Sequence, residues 1–87
     1  MKLTGWDIAK NEELKAEGRP SFEEVQVAID AGGLVDTLEN ANYPGQQLLA
    51  VRIGGYMYAV AVEPRGEAEC RPVTVWPSRA FQKIYGE

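Results

Sequence analysis

Residues 47–63 read QLLAVRIGGYMYAVAVE, and this stretch decides the fold. Apolar side chains dominate both halves, and the two residues between them are Gly54 and Gly55, a connection typical of a tight β-hairpin. The second half is apolar from position 56 to position 62, which predicts a strand that is covered on both faces in the middle of a sheet. A sheet with a central hairpin is therefore the framework on which the rest of the chain is arranged.

Further strands flank this hairpin on both sides. Residues 34–38 form a short strand-like segment before it, and residues 71–76 form another after it, each separated from the hairpin by residues typical of turns. Pro72 has no backbone N–H to donate, so we expect it at the start or the edge of its strand. Together these segments predict a four-stranded antiparallel sheet.

Helices are predicted on both sides of the strand region. Residues 7–17 are rich in helix formers and carry a thin apolar stripe, which predicts a helix that lies on the surface. Ser21 and Glu24 have the spacing of a capping box, and apolar residues then recur with helical period up to the Gly32–Gly33 pair. Residues 78–85 predict a short last helix. The expected fold class is α+β, with the two N-terminal helices packed on one sheet face.

Length and composition limit the functions that are open to this chain. Its 87 residues are enough for a single domain spanning residues 1–87. It has no histidine and one cysteine, Cys70, which excludes a zinc site and a Ser-His-Asp or Cys-His centre, and we expect no metal and no cofactor. The net charge of −4 argues against strong non-specific nucleic-acid binding. Without a secretory signal or a membrane-length apolar run, we expect a cytoplasmic protein that does not enter a membrane.

Four residues near the C-terminal half are candidates for binding or catalysis. Arg79 and Lys83 lie one helical turn apart, where they form either a phosphate-binding pair or an ordinary solvated helix end, and spacing alone favours the second. Arg52 stands among apolar strand neighbours and either projects into a cleft or lies along the sheet face. Tyr85 is either a hydrogen-bond donor or a ring that packs on the sheet.

For two tyrosines and one glutamate, a functional role also stands against an ordinary structural one. Tyr56 and Tyr58 share one strand face, so an exposed pair would form a stacking platform for bases, whereas we expect a core pair. Glu17, near the end of the first helix, is a surface residue by default.

Three short blocks resemble a known family. Residues 6–11 read WDIAKN, residues 21–25 read SFEEV and residues 77–80 read PSRA. In this order they are similar to blocks of the BrnT family of bacterial type II toxins, and with the strand pattern between them the resemblance covers about residues 6–85. It implies a RelE-like fold and a small ribonuclease that inhibits translation as the toxin of a toxin–antitoxin system.

The resemblance also implies a partner and, for this hypothesis, a set of catalytic residues. The partner would be an antitoxin, of the ribbon-helix-helix type in the resembled family, and the substrate would be RNA. Metal-independent RNA cleavage needs a base, a cation for the phosphorane and an acid. Arg79 is assigned as the cation, aided by Lys83 and Arg52, with Tyr85 or Glu17 transferring protons.

The chain departs from the family pattern at one place that bears on activity. Many members carry Lys-His-Gly near the end of the first helix, whereas residues 16–18 here read AEG. The last helix also has few cations. These departures motivate the alternative that the chain is a catalytically silent relative acting as a protein-binding module, which would expose an apolar patch rather than a polar cleft.

Overall fold

The computed structural model describes residues 1–86, which fold into one five-stranded sheet and three helices. Along the chain the elements are β1 (Lys2–Leu3), α1 (Ile8–Ala16), α2 (Phe22–Asp30), β2 (Leu34–Glu39), β3 (Gln47–Ile53), β4 (Tyr56–Pro64), β5 (Glu69–Pro77) and α3 (Arg79–Tyr85). The strand order across the sheet is β1-β5-β4-β3-β2. The predicted α+β class is confirmed. No helix within these residues has the length and apolar character needed to cross a membrane.

The predicted sheet of four antiparallel strands is wrong in its strand count and in one pairing. β1 adds a fifth strand that runs parallel to β5, with Leu3 opposite Cys70. The backbone N–H of Lys2 donates to the carbonyl of Ala68 at 2.8 Å, and that of Thr4 donates to the carbonyl of Cys70 at 2.9 Å. Because β1 has only two residues, it is too short to show the alternation by which strands are recognised.

The central hairpin is confirmed. β3 and β4 pair antiparallel from Gln47 opposite Val62 to Ile53 opposite Tyr56. Gly54 and Gly55 connect them with φ angles of 59° and 83°, a region that residues with a side chain rarely adopt. β4 also pairs with β5, so its predicted place in the interior of the sheet is confirmed.

Pro72 is not at the start or the edge of its strand, as we expected. It is the fourth residue of β5, it is buried, and β5 lies between β1 and β4. Pro72 pairs with Val62 at a register shift in the β4–β5 ladder. A β-bulge is a place where a strand accommodates a residue that cannot donate to the ladder, which explains this position.

The hydrophobic core lies between one sheet face and the first two helices. Leu49, Val60 and Val75 are opposite one another on neighbouring strands, so their side chains point to the same face, and all three are buried. Leu14 of α1 and Phe22 of α2 pack into the same cluster. The predicted packing of both N-terminal helices on one face is confirmed.

The last helix lies against the other face of the sheet. Arg52 alternates along β3 with the core residue Val51, so its side chain points away from α1 and α2. Its guanidinium reaches the carbonyl oxygen of Tyr85 in α3. At the other end of α3, the backbone N–H of Ser78 donates to the carbonyl of Met57, and the Gln82 side chain accepts from the N–H of Met57.

Candidate functional site

Arg52, Tyr85 and Asp36 form what we call the C-terminal cluster. Arg52 Nη2 donates to the backbone oxygen of Tyr85 at 2.6 Å. The hydroxyl of Tyr85 donates to Asp36 Oδ2, also at 2.6 Å. Asp36 was not among the predicted site residues, because its place near the end of α3 follows from the pairing of β2 with β3, which sets it opposite Ala50, rather than from any local motif. The cluster ties the end of α3 to two neighbouring strands.

The electrostatics of the C-terminal cluster favour holding a proton rather than transferring it. The hydrogen bond to the Asp36 carboxylate raises the pKa of Tyr85, while the bond from Tyr85 lowers the pKa of Asp36. The phenol therefore keeps its proton and donates it in the hydrogen bond to Asp36. Arg52 is likewise engaged with a carbonyl oxygen. As it stands, the cluster is a tether for α3.

Arg79 and Lys83 lie together on the exposed side of α3. Ser78 caps this helix by accepting from the backbone N–H of Phe81 at 3.1 Å, which sets the helical spacing of the two cations. Within residues 1–86, neither side chain forms a hydrogen bond or an ion pair. Lys83 is thus a solvated cation in the last turn of α3, where the helix dipole favours positive charge, whereas Arg79 is a solvated cation at the first residue of the helix, where the dipole does not favour it.

Glu17 lies in a different part of the molecule. It is the C-terminal cap residue of α1, and its carboxylate is 3.8 Å from Arg19 Nε. Because α1 and α3 cover opposite sheet faces, the structure does not bring Glu17 together with Arg52 and Tyr85. The two residues predicted to transfer protons, Glu17 and Tyr85, are therefore on opposite sides of the sheet.

The tyrosine pair borders a cleft at the tip of the hairpin. The rings of Tyr56 and Tyr58 meet edge to face with their centroids 6.1 Å apart. Tyr58 packs against the core as we expected for both, but Tyr56 is 37% exposed because it is the first residue after the hairpin turn. The tyrosine cleft has a volume of about 460 Å³ and is lined by Lys15, Gly18, Arg19, Pro20, Glu24, Ile53, Gly54, Tyr56 and Tyr58.

Two cations of the tyrosine cleft were not predicted. Lys15 and Arg19 reach the hairpin because the turn between α1 and α2 folds over it, a long-range contact that no local pattern indicates. Both are already partnered: Lys15 Nζ is 3.3 Å from a carboxylate oxygen of Glu12, and Arg19 Nη1 donates to the carbonyl of Val75 at 3.2 Å. The cleft thus combines an exposed aromatic ring with two cations that each have a partner in the chain.

A larger and mainly apolar groove runs along α2. This α2 groove has a volume of about 690 Å³ and is lined by Glu23, Glu24, Val27, Ala28, Ala31, Gly32, Gly33, Arg52, Ile53 and Gly54. Val27 stands in its wall and is 68% exposed, so an apolar side chain in the middle of α2 faces solvent. The helical period leaves Val27 off the apolar face, but it does not show that a groove lies beside it.

Gly33 sets the shape of this groove. Its N–H donates to the carbonyl of Ala28 and its carbonyl accepts from the N–H of Arg52, both at 2.8 Å, so the chain leaving α2 lies directly on β3. A Cβ at this position would be 2.6 Å from the carbonyl oxygen of Arg52. Only glycine allows this close approach, which holds the end of α2 beside the hairpin.

Neither a metal-binding cluster among the described residues nor a similar known protein was found. Within residues 1–86, no three Cys, Asp or Glu side chains come close enough together to hold a metal ion. Comparisons with protein-family models, with curated proteins and with solved structures gave no match. The BrnT resemblance therefore stays a prediction that rests on its three sequence blocks.

Proposed function

We propose that this chain is a protein-binding module on a BrnT-like scaffold and that it has no catalytic activity of its own. The observation that carries the proposal is the α2 groove, where an apolar wall that includes the exposed Val27 faces solvent. Apolar surface collected in a concave groove is characteristic of sites that bind another molecule. This is the feature that distinguishes a binding module from a polar catalytic cleft.

The arrangement of the candidate catalytic residues also supports a silent module. RNA cleavage needs proton donors and acceptors and a cation around a single phosphate. The hydroxyl of Tyr85 is bound to Asp36, and Arg52 is bound to a backbone carbonyl. Glu17 is on the other side of the sheet from both. These residues have no common point at which a phosphate would meet them all.

The binding function is tested by expressing the chain with the product of the neighbouring gene and measuring the mass of any complex in solution. We expect a complex of defined stoichiometry that survives size-exclusion chromatography. The double variant Arg79→Ala/Lys83→Ala serves as the control, because it removes the cations assigned to RNA while leaving the α2 groove intact. Absence of any complex with the candidate partner contradicts the proposal.

A second candidate function is an endoribonuclease toxin held inactive by an antitoxin of the ribbon-helix-helix type. The tyrosine cleft favours it, because an exposed aromatic ring beside Lys15 and Arg19 is a combination that binds single-stranded RNA. Glu17 pairs with Arg19 beside this cleft and would be the proton acceptor there. Under this second hypothesis, RNA is cleaved at the tyrosine cleft and not at the C-terminal cluster.

Tightly induced expression in a bacterial host separates the two functions. Growth arrest with new RNA ends would support the toxin. Relief by Glu17→Gln would place the chemistry at the tyrosine cleft, whereas relief by Arg79→Ala would place it on α3. Normal growth with intact RNA, from protein that is folded and soluble, supports the binding module.

A further inference from the structure

We propose that the α2 groove binds a cationic amphipathic segment of a protein partner, whose apolar side chains pack against Val27 and Ile53 and whose Lys or Arg side chains flank them. The proposal rests on the binding function proposed above and names the chemistry of the partner. It follows from the charges at the two ends of the groove and from the positions of the nearby Lys and Arg side chains.

One end of the groove carries two carboxylates. Glu23 and Glu24 are in the first turn of α2 and both line the groove. Asn11 Nδ2 donates to Glu23 at 2.7 Å, and this bond lowers the pKa of Glu23, so the carboxylate is charged at neutral pH. Glu24 receives hydrogen bonds from the N–H and the hydroxyl of Ser21, both on Oε1, and neither bond removes its charge.

The other end of the groove is also electronegative. α2 ends at Asp30, with Ala31 as its cap residue, and its last turn contains no Lys or Arg. The C-terminus of a helix carries the negative end of the helix dipole, which a cation normally offsets. The groove thus has two carboxylates at one end, where the positive end of the dipole offsets part of their charge, the negative end of the dipole at the other, and an apolar wall between them.

The nearby cations offset only part of this charge, although Lys15 attracts Glu23 and contributes to its lowered pKa. Among the residues that line the groove, the basic one is Arg52, and its guanidinium is on the opposite sheet face with the carbonyl of Tyr85. Lys15 and Arg19, in the adjoining tyrosine cleft, pair with Glu12 and Glu17. An apolar wall between negative ends is complementary to an amphipathic segment rich in Lys and Arg. A second copy of this chain, with a net charge of −4, and a nucleic acid are both disfavoured.

The first test uses two synthetic helical peptides with the full, ¹⁵N-labelled chain. One is built from Leu and Lys, and the other has Glu in place of every Lys. We expect the Lys peptide to shift the amide resonances of Val27, Ala31, Gly32 and Gly54, with an affinity that falls as salt is added. Equal binding of the Glu peptide, or shifts that map outside the groove, would overturn the proposal. Shifts of the same amides on addition of single-stranded RNA alone, without peptide, would overturn the choice of partner.

Matched variants then separate the charge from the apolar wall. Glu23→Gln/Glu24→Gln should weaken Lys-peptide binding roughly fivefold, and the amide oxygen introduced at position 24 can still accept from Ser21. Its control is Glu67→Gln/Glu69→Gln, which changes the net charge equally at exposed positions that do not line the groove. Val27→Ser should weaken binding about tenfold, with Ile8→Ser, at a more exposed apolar position, as its control. Equal effects of each variant and its control would show that the groove is not the site.

The same variants distinguish a failure of this inference from a failure of the proposed function. If the neighbouring gene product forms a complex that Val27→Ser and Glu23→Gln/Glu24→Gln leave unchanged, the binding function stands and the groove assignment is overturned. If no complex forms with the parent chain, the proposed function itself fails. If the complex forms and both groove variants weaken it, the partner's contact residues should be basic and apolar.

Discussion

Tyr85 and Asp36 are 49 positions apart in the chain, and a 2.6 Å hydrogen bond joins the tyrosine hydroxyl to the aspartate carboxylate. The second carboxylate oxygen of Asp36 accepts from the backbone N–H of Thr37 at 2.7 Å. A single side chain on the edge strand β2 thus holds the end of α3 and also satisfies one backbone donor of its own strand. Asp36 and Arg52 are therefore the two side chains that tie Tyr85, at the end of α3, to the sheet.

The first prediction concerns the titration of Tyr85. Asp36→Asn should let Tyr85 deprotonate at lower pH than it does in the parent, because the carboxylate that raises its pKa is gone. A folded-state pKa above the unfolded value of about 10 means that the bond stabilises the fold below that pH. The contribution is lost as pH rises through the folded value. The ring carbon resonance of Tyr85, followed against pH, measures the shift.

The same hydrogen bond changes the pKa of Asp36 in the opposite direction. Its pKa is lowered in the folded state, so its contribution is present above the unfolded value of about 3.9 and is lost as pH falls through the folded value. Tyr85→Phe serves as the control, because it should raise the pKa of Asp36 while retaining the ring. An unchanged Tyr85 titration in Asp36→Asn would mean that the hydrogen bond is absent in solution.

The second prediction concerns Asn11, which joins the first two helices from the inside. Asn11 is 3% exposed, its side-chain oxygen accepts from the N–H of Phe22 at 2.8 Å, and its amide donates to Glu23. Asn11→Ala leaves the buried N–H of Phe22 without a partner, which should lower the free energy of unfolding by about 1–3 kcal/mol. Urea denaturation measures the change. Asn42→Ala, in an exposed loop, is the control and should stay within about 0.5 kcal/mol.

The elements that could be predicted from sequence are those with a local signature. The hairpin follows from Gly54 and Gly55 between two apolar segments, and α2 follows from the capping box at Ser21. Asn11 shows the limit of this reasoning. From sequence, a polar residue such as Asn11 is expected on the solvent-exposed face of its helix. Its burial depends on the N–H of Phe22, which lies 11 positions further along the chain.

The candidate site was harder to predict for the same physical reason. Of the predicted residues, the structure brings Arg52 and Tyr85 together through the backbone oxygen of Tyr85. The tyrosine hydroxyl binds Asp36 instead, and no motif would single out either partner. Val27 is an apolar residue of an amphipathic helix, but it lies off the face that buries Phe22, Val25 and Ile29.

The strand β1 also depends on residues distant in the chain. It pairs with β5, and the side chain of Gln26 accepts from the N–H of Leu3 at 2.7 Å.

The third prediction concerns the close contact at Gly33. Gly33→Ala places a Cβ 2.6 Å from the carbonyl oxygen of Arg52 and 2.8 Å from that of Ala28, and neither backbone atom can rotate away. The end of α2 should move off β3, with a loss of about 1–3 kcal/mol in the free energy of unfolding. The amide of Arg52, which donates to the Gly33 carbonyl, should then exchange its hydrogen faster.

Gly45→Ala is the matched control for this contact. Gly45 has a positive φ of 88° and open space around its Cβ position, so its substitution has a conformational cost without a steric one. Its effect on exchange should stay in the loop before β3. Unchanged protection of the Arg52 amide in Gly33→Ala would contradict the tight packing of α2 on β3.

The last prediction uses the single thiol as a reporter of core opening. Cys70 is buried, and burial raises its pKa, so both access and thiolate formation should keep it from reacting with a disulfide reagent in the folded protein. Leu14→Ala, in the same core cluster, should cost about 2–5 kcal/mol and raise the labelling rate at least about thirtyfold. Ile8→Ala, at a position that is 75% exposed, should leave the rate nearly unchanged. Labelling of the native parent as fast as the urea-unfolded chain would show that the core between α1 and β5 is open in solution.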